Sequence, residues 1–221
     1  MNDASALGIK DEVAQLKRER TIDAAVELFY ERGYENTSLD AVAERMGVTK
    51  PFIYVHFASK AELLAEICSR GIASALAAMD GVLRMAGTPT ERLAEVGRRF
   101  VVAVLTSQRH IAIFTREEKN LRPEDLDRIN DMRRAFDRKL TQLLDQGVAA
   151  GEFRLHNTRM ASLAIGGMVS WAYVWYRPNG RLTLAETSEE MGALILALAG
   201  ARGVAEASAK GRKRLRIPRG P

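Results

Sequence analysis

The segment VTKPFIYVHFASK, Val48 to Lys60, gathers side chains that could meet an anion: the hydroxyls of Thr49 and Ser59, the ammonium groups of Lys50 and Lys60, the Tyr54 phenol and the His56 imidazole. Such donors suit phosphate oxygens and base edges better than bond-making chemistry. Pro51 fits the start of a helix, where a missing N–H costs nothing and a locked φ is already helical. Catalytic signals are missing elsewhere. The chain has no Gly-rich phosphate loop, no Gly-x-Ser-x-Gly elbow and no convincing acid–base constellation, so no enzyme is expected. Glu117 and Glu118 are adjacent, hence on different helix faces, and are expected to be solvated. The three histidines, 56, 110 and 156, lack a second ligand at i+4, so neither a metal site nor a cofactor is expected.

The elements that position these groups are announced by capping pairs. Thr37 with Asp40, Ser59 with Glu62, Thr88 with Glu91 and Thr183 with Glu186 each place an acid three residues after a hydroxyl. Gly33, Gly47 and Gly151 mark helix ends. Apolar positions recur at helical spacing and strand signals are nearly absent. An all-α protein of about nine helices follows, over roughly 11–32, 38–45, 49–56, 59–85, 89–107, 110–118, 123–150, 158–176 and 184–201. The expected division is a head at 11–60, a body at 61–201 and a basic tail at 202–221, with the fourth helix shared by head and body.

Within the head, SLDAVAERMGVTKPFIYVHF reads as a helix, a turn at Gly47 and a second short helix, the helix-turn-helix order. Leu39, Val42, Ala43, Val48, Ile53 and Phe57 would pack on Ile22, Val26 and Phe29, leaving Thr49, Lys50, Pro51, Tyr54 and His56 outward. A connector helix in an ordinary α-helical enzyme is the alternative. Charge alone does not favour DNA, because residues 1–60 carry eight Lys or Arg against ten Asp or Glu, a net of −2. The formal net charge of +5 comes from the tail, where seven Lys or Arg face one Glu. DNA binding would therefore rest on Lys17, Arg18, Arg20, Lys50 and Lys60 gathered on one face. The tail is expected to be disordered.

The run TIDAAVELFYERGYENTSLDAVAERMGVTKPFIYVHFASKAELL resembles the N-terminal domain of TetR-family transcriptional regulators in element order, aromatic pair and trailing Ser-Lys-x-Glu-Leu-Leu, over roughly residues 20–65. The resemblance implies a three-helix DNA-binding head and a helical body for effector binding and homodimerisation. Residue by residue, it implies that Thr37 and Ser38 cap the second helix against a phosphate and that Thr49, Lys50 and Pro51 approach base edges. Tyr54, His56 and Lys60 would grip phosphates of double-stranded operator DNA. Many members of that family have Gly or Ala where Pro51 stands, so the resemblance implies a local base readout of its own here.

In the same family the last two helices form a four-helix bundle with a second copy, and Gly166, Gly167, Gly192 and Ala193 would permit that approach. An intrachain core is the alternative for these small residues. The phrase WAYVWYRPNGRL resembles the subgroup that answers to acyl-CoA thioesters. Leu76, Met79, Phe100, Val104, Phe114, Met132 and Phe136 would then line an apolar tunnel. Arg98, Arg177 or Arg181 could meet phosphate, and Trp171 or Trp175 could lie against adenine, although both tryptophans also suit a bundle core. The implied function is a ligand-released repressor; a multidrug-sensing repressor of an efflux gene and a helical adaptor are the alternatives. No signal peptide and no membrane-length apolar run is recognised, so a cytoplasmic protein without membrane partners is expected. The single cysteine, Cys68, is expected to be a small buried hydrophobe.

Overall fold

Helices begin where hydroxyls and acids reciprocate, with one shift. The Thr183 hydroxyl accepts from Glu186 N–H at 3.2 Å while the Glu186 carboxylate accepts from Thr183 N–H at 2.8 Å, a full capping box. Thr88 and Glu91 make the same exchange. Ser59 accepts from Glu62 N–H, but Glu62 reaches back to Ala58 N–H. At the fourth site the cap is Ser38, which accepts from Ala41 N–H at 3.1 Å. Thr37 is only 2% exposed, and its hydroxyl donates to Gly33 O. Two neighbouring hydroxyls could cap that helix, and the one aimed inward lost the position.

The computed structural model describes residues 3–201; the basic tail expected over 202–221 lies outside the described residues. Every element among them is helical. In order they are α1 (Asp3–Arg32), α2 (Leu39–Met46), α3 (Lys50–Tyr54), α4 (Lys60–Leu83), α5 (Pro89–Thr106) and α6 (Gln108–Glu117). A 3-10 turn (Glu118–Asn120) leads to α7 (Pro123–Ala149), α8 (Thr158–Ser170), α9 (Ala172–Trp175) and α10 (Leu184–Leu198). The first helix starts earlier than periodicity suggests, and the single helix expected over 158–176 is interrupted. At Trp171 the ladder tightens, with Val174 N–H bonding Trp171 O, so α8 and α9 are separate segments. None of these helices is long and apolar enough to cross a membrane.

Contacts gather the chain into two units. One takes residues up to 71 together with 107–130, and the other takes 72–106 and 131 onward. The expected division at 60/61 follows chain segments, whereas contacts place the first turns of α4 and all of α6 with the head. Helices α4 and α7 each continue from one unit into the other.

The first unit is built on Ile22, Val26 and Phe29 of α1, Leu39, Val42 and Ala43 of α2, and Ile53 and Phe57, all buried as expected; Val48 is half-buried. Burying each Ile or Phe side chain contributes about 1.5–3 kcal/mol. In the second unit α5 packs most extensively on α10. Two glycines permit the approach, since a Cβ on Gly97 would lie 3.3 Å from Gly192 Cα and 3.1 Å from Ile195 Cδ1. Cys68 is buried.

Candidate functional site

The turn between α2 and α3 positions the first candidate surface. Gly47 adopts φ 67°, which a residue without Cβ enters at little cost, and Val48 N–H bonds Ala43 O to close the end of α2. Thr49 then caps α3, yet its hydroxyl makes no capping bond and remains exposed. Ile53 and Phe57 are fully buried, so the opposite face points outward. Thr49, Lys50, Pro51 and Tyr54 are exposed there, with Tyr54 at 47%.

Val55 is 78% exposed, the most exposed large apolar side chain among those described, and was not among the expected contacts. Counting two positions from Ile53 and Phe57 toward each other would have found it. A bare branched methyl pair at this place suits the thymine methyl group in a major groove.

Most cations around α3 are already engaged. Lys50 pairs with Asp40 at 2.8 Å, which raises its pKa. Lys17 lies 5.6 Å from the Phe52 ring centroid, and Arg18 lies over Phe57 while pairing with Glu66. Lys60 donates to Tyr34 O at 3.0 Å and sits 4.2 Å above the Tyr34 ring, so its expected phosphate grip competes with a structural tie. His56 stacks edge-on against Phe52; burial first, then Lys17 and Arg18, lower its pKa, so the imidazole is neutral near pH 7. Thr37, expected to face phosphate, cannot do so from its buried position, whereas Ser38 is exposed.

Glu117 overturns a second expectation. It is 5% exposed rather than solvated, and accepts from Tyr34 N–H, Asn120 and Arg116. Arg116 in turn donates to the carbonyls of Phe29 and Tyr30. The end of α6 therefore satisfies orphan groups left by the end of α1. Glu118 stays exposed.

In the second unit the expected tunnel lining is packed. The Phe100 and Phe136 rings are 4.5 Å apart and buried, as are Met79 and Val104, while Leu76 and Met132 are half-buried. Phe114, also buried, belongs to the first unit. Two expected phosphate partners are occupied: Arg98 pairs with Glu95 and lies 3.6 Å from Glu189, and Arg177 donates to Val174 O and Tyr176 O.

Trp171 and Trp175 are 62% and 49% exposed and line a groove of about 360 Å³ with Met168, Leu182, Glu190 and Leu194. Exposed Met160, Leu163 and Leu198 extend this apolar face along α8 and α10. Gly167 and Ala193 are exposed, and Gly166 is half-buried. Gly192 is buried against Arg98 and Ala94, so its expected role at a subunit contact gives way to α5–α10 packing.

Comparison with known proteins adds identity to this geometry. Residues 22–67 match the family model described as bacterial regulatory proteins, tetR family, and residues 86–199 match that of the Tetracyclin repressor-like C-terminal domain. The HTH-type transcriptional repressor KstR2 of Mycobacterium tuberculosis is 25% identical over 182 residues, 81% of this chain and 91% of its own. The TetR family regulator PfmR from Thermus thermophilus superposes with a TM-score of 0.73 at 30% identity, covering 80% of this chain and 97% of that one. AibR, solved in complex with isovaleryl coenzyme A and operator DNA, gives 0.69 at 26% identity, covering 84% and 99%.

Proposed function

The chain belongs to the TetR family of bacterial regulatory proteins, and from that membership we propose that it is a dimeric repressor released from its operator by an acyl-CoA thioester. The outward face of α3 carries the DNA half of this reading: Thr49, Lys50, Pro51, Tyr54 and Val55 project from a helix whose other face is locked in the core. Thr49 and Lys50 approach base edges, while Ser38, Tyr54 and His56 meet phosphates. Two such heads about one helical turn of DNA apart, roughly 34–36 Å, read a palindrome.

The exposed apolar face of α8 and α10 supports pairing with a second copy through Gly167 and Ala193, and that copy closes the tryptophan groove. The region from 61 to 201 serves effector binding and dimerisation, and α4, continuous from one unit into the other, carries the response. An effector of this class is favoured by the groove's indoles, which suit an adenine ring, and by relatives such as AibR, whose solved complex contains isovaleryl coenzyme A.

Fluorescence anisotropy on DNA from the chain's own upstream region, titrated with acyl-CoAs of increasing length, tests the proposal. Release at one range of chain lengths is expected, and unchanged affinity across the series overturns the effector. Glu190 beside two indoles favours a second reading, in which the groove takes flat cations. That reading predicts release by cationic dyes and no response to coenzyme A derivatives.

A further inference from the structure

A cleft between α7 and α8, about 510 Å³, is lined by Arg134, Arg138 and Arg159 with Asp137, Gln142 and Leu163 beside them. Arg134 is paired with Asp131 on its own helix at 2.7 Å. Arg138 and Arg159 form no ion pair among the described residues. By contrast Arg18, Arg45, Arg70, Arg98, Arg116 and Arg122 each hold a carboxylate. Two helices thus bring unneutralised guanidinium groups to one concavity. The floor is fixed, because Thr141 and Ser162 both donate to the backbone carbonyl of Asp137.

We infer that this cleft seats the phosphate-bearing half of an organic effector, with the forks of Arg138 and Arg159 on phosphate oxygens. A guanidinium presents paired N–H donors that match two oxygens of one phosphate, and two unpaired arginines on facing helices suit an anion of more than one charge. Arg98 holds Glu95 and Arg177 holds two backbone carbonyls, whereas Arg138 and Arg159 hold no carboxylate among the described residues. The Asp137 carboxyl opposes an anion when ionised. Burial raises its pKa against the pull of Arg133, which lowers the cost of neutralising it beside an anion. Only the ligand's identity as a coenzyme A derivative rests on the proposed function; the cleft itself requires a phosphate anion.

Calorimetric titration of the full chain with coenzyme A and with ADP, which lacks the pantetheine arm, tests the assignment. The R138Q/R159Q double variant is expected to lose affinity for both probes, about tenfold for each arginine. The R138K/R159K variant should recover part of it, showing that the fold is intact. Asp137→Asn should tighten both probes several-fold, a change that damage to packing does not produce. If the double glutamine variant binds coenzyme A within twofold of the parent, the cleft is not the site, even where acyl-CoA still releases DNA. Arginine-dependent binding of ADP without any DNA release by acyl-CoA upholds the cleft and sinks the proposed effector. A parent chain that binds neither probe overturns the inference outright.

Discussion

The two exposed faces of this protein treat charge in opposite ways. Around α3, Lys17, Arg18, Lys50 and Lys60 each rest on an acid, an aromatic ring or a carbonyl of the same unit. In the α7–α8 cleft, Arg138 and Arg159 pair with no acid among the described residues. A cation with an exposed partner can exchange it for phosphate cheaply, since such a pair contributes only about 0–1 kcal/mol. The head can therefore balance its net negative composition without carrying a permanent anion trap, whereas the cleft stays charged until a ligand fills it.

The largest test of this contrast removes the support of one face and watches the other. Phe57→Ala deletes a fully buried ring under α3 and should cost about 3–5 kcal/mol in denaturant unfolding. Both tryptophans lie in the second unit, so the transition followed by tryptophan emission should move less than the one followed by helical circular dichroism. Coincident shifts would show that the units unfold as one. Glu117→Ala acts on the same side more gently. It strands Tyr34 N–H and part of Arg116, for about 2–3 kcal/mol in the same measurement.

On the other side, Gly97→Val forces a side chain against Gly192 Cα and Ile195, costing about 1–3 kcal/mol through overpacking. There the tryptophan-reported transition should lead. Lys50→Ala addresses charge directly. It should relax base preference at one operator position, read by anisotropy on operators varied base by base, and leave the melting temperature nearly unchanged because its pair with Asp40 is exposed.

What was legible in the sequence divides along the same line. Local signals carried the helices: capping pairs at Thr88, Thr183 and Ser59, and glycines at 33, 47 and 151 that take positive φ. The core of the head and the outward face of α3 followed from periodicity. Partners distant in the chain were hidden. Glu117 finds its hydrogen bond at Tyr34, 83 residues away, so adjacency alone misplaced it, and Lys60 finds a carbonyl 26 residues away that its charge did not announce. The choice between Thr37 and Ser38 as cap depends on which hydroxyl the tertiary fold turns inward. The cleft needs Arg138 and Arg159 on one concavity, which only the tertiary fold reveals.

Acid provides the finest test, because the paired carboxylates of the first unit should respond to it. Arg70 bonds both carboxylate oxygens of Glu19, one at 2.9 Å, and this hydrogen bonding is the largest cause of a Glu19 pKa below its usual 4.5. A carboxylate with a depressed folded pKa contributes stability above its unfolded value and loses it as pH falls through the folded one. The head should therefore weaken below about pH 4.5, and Glu19→Gln should flatten that loss. The effect is small, because the pair is partly exposed and solvent screens it. If Glu19→Gln leaves the acid limb of the stability curve as steep as before, the Arg70 pairing does not hold the head together in solution.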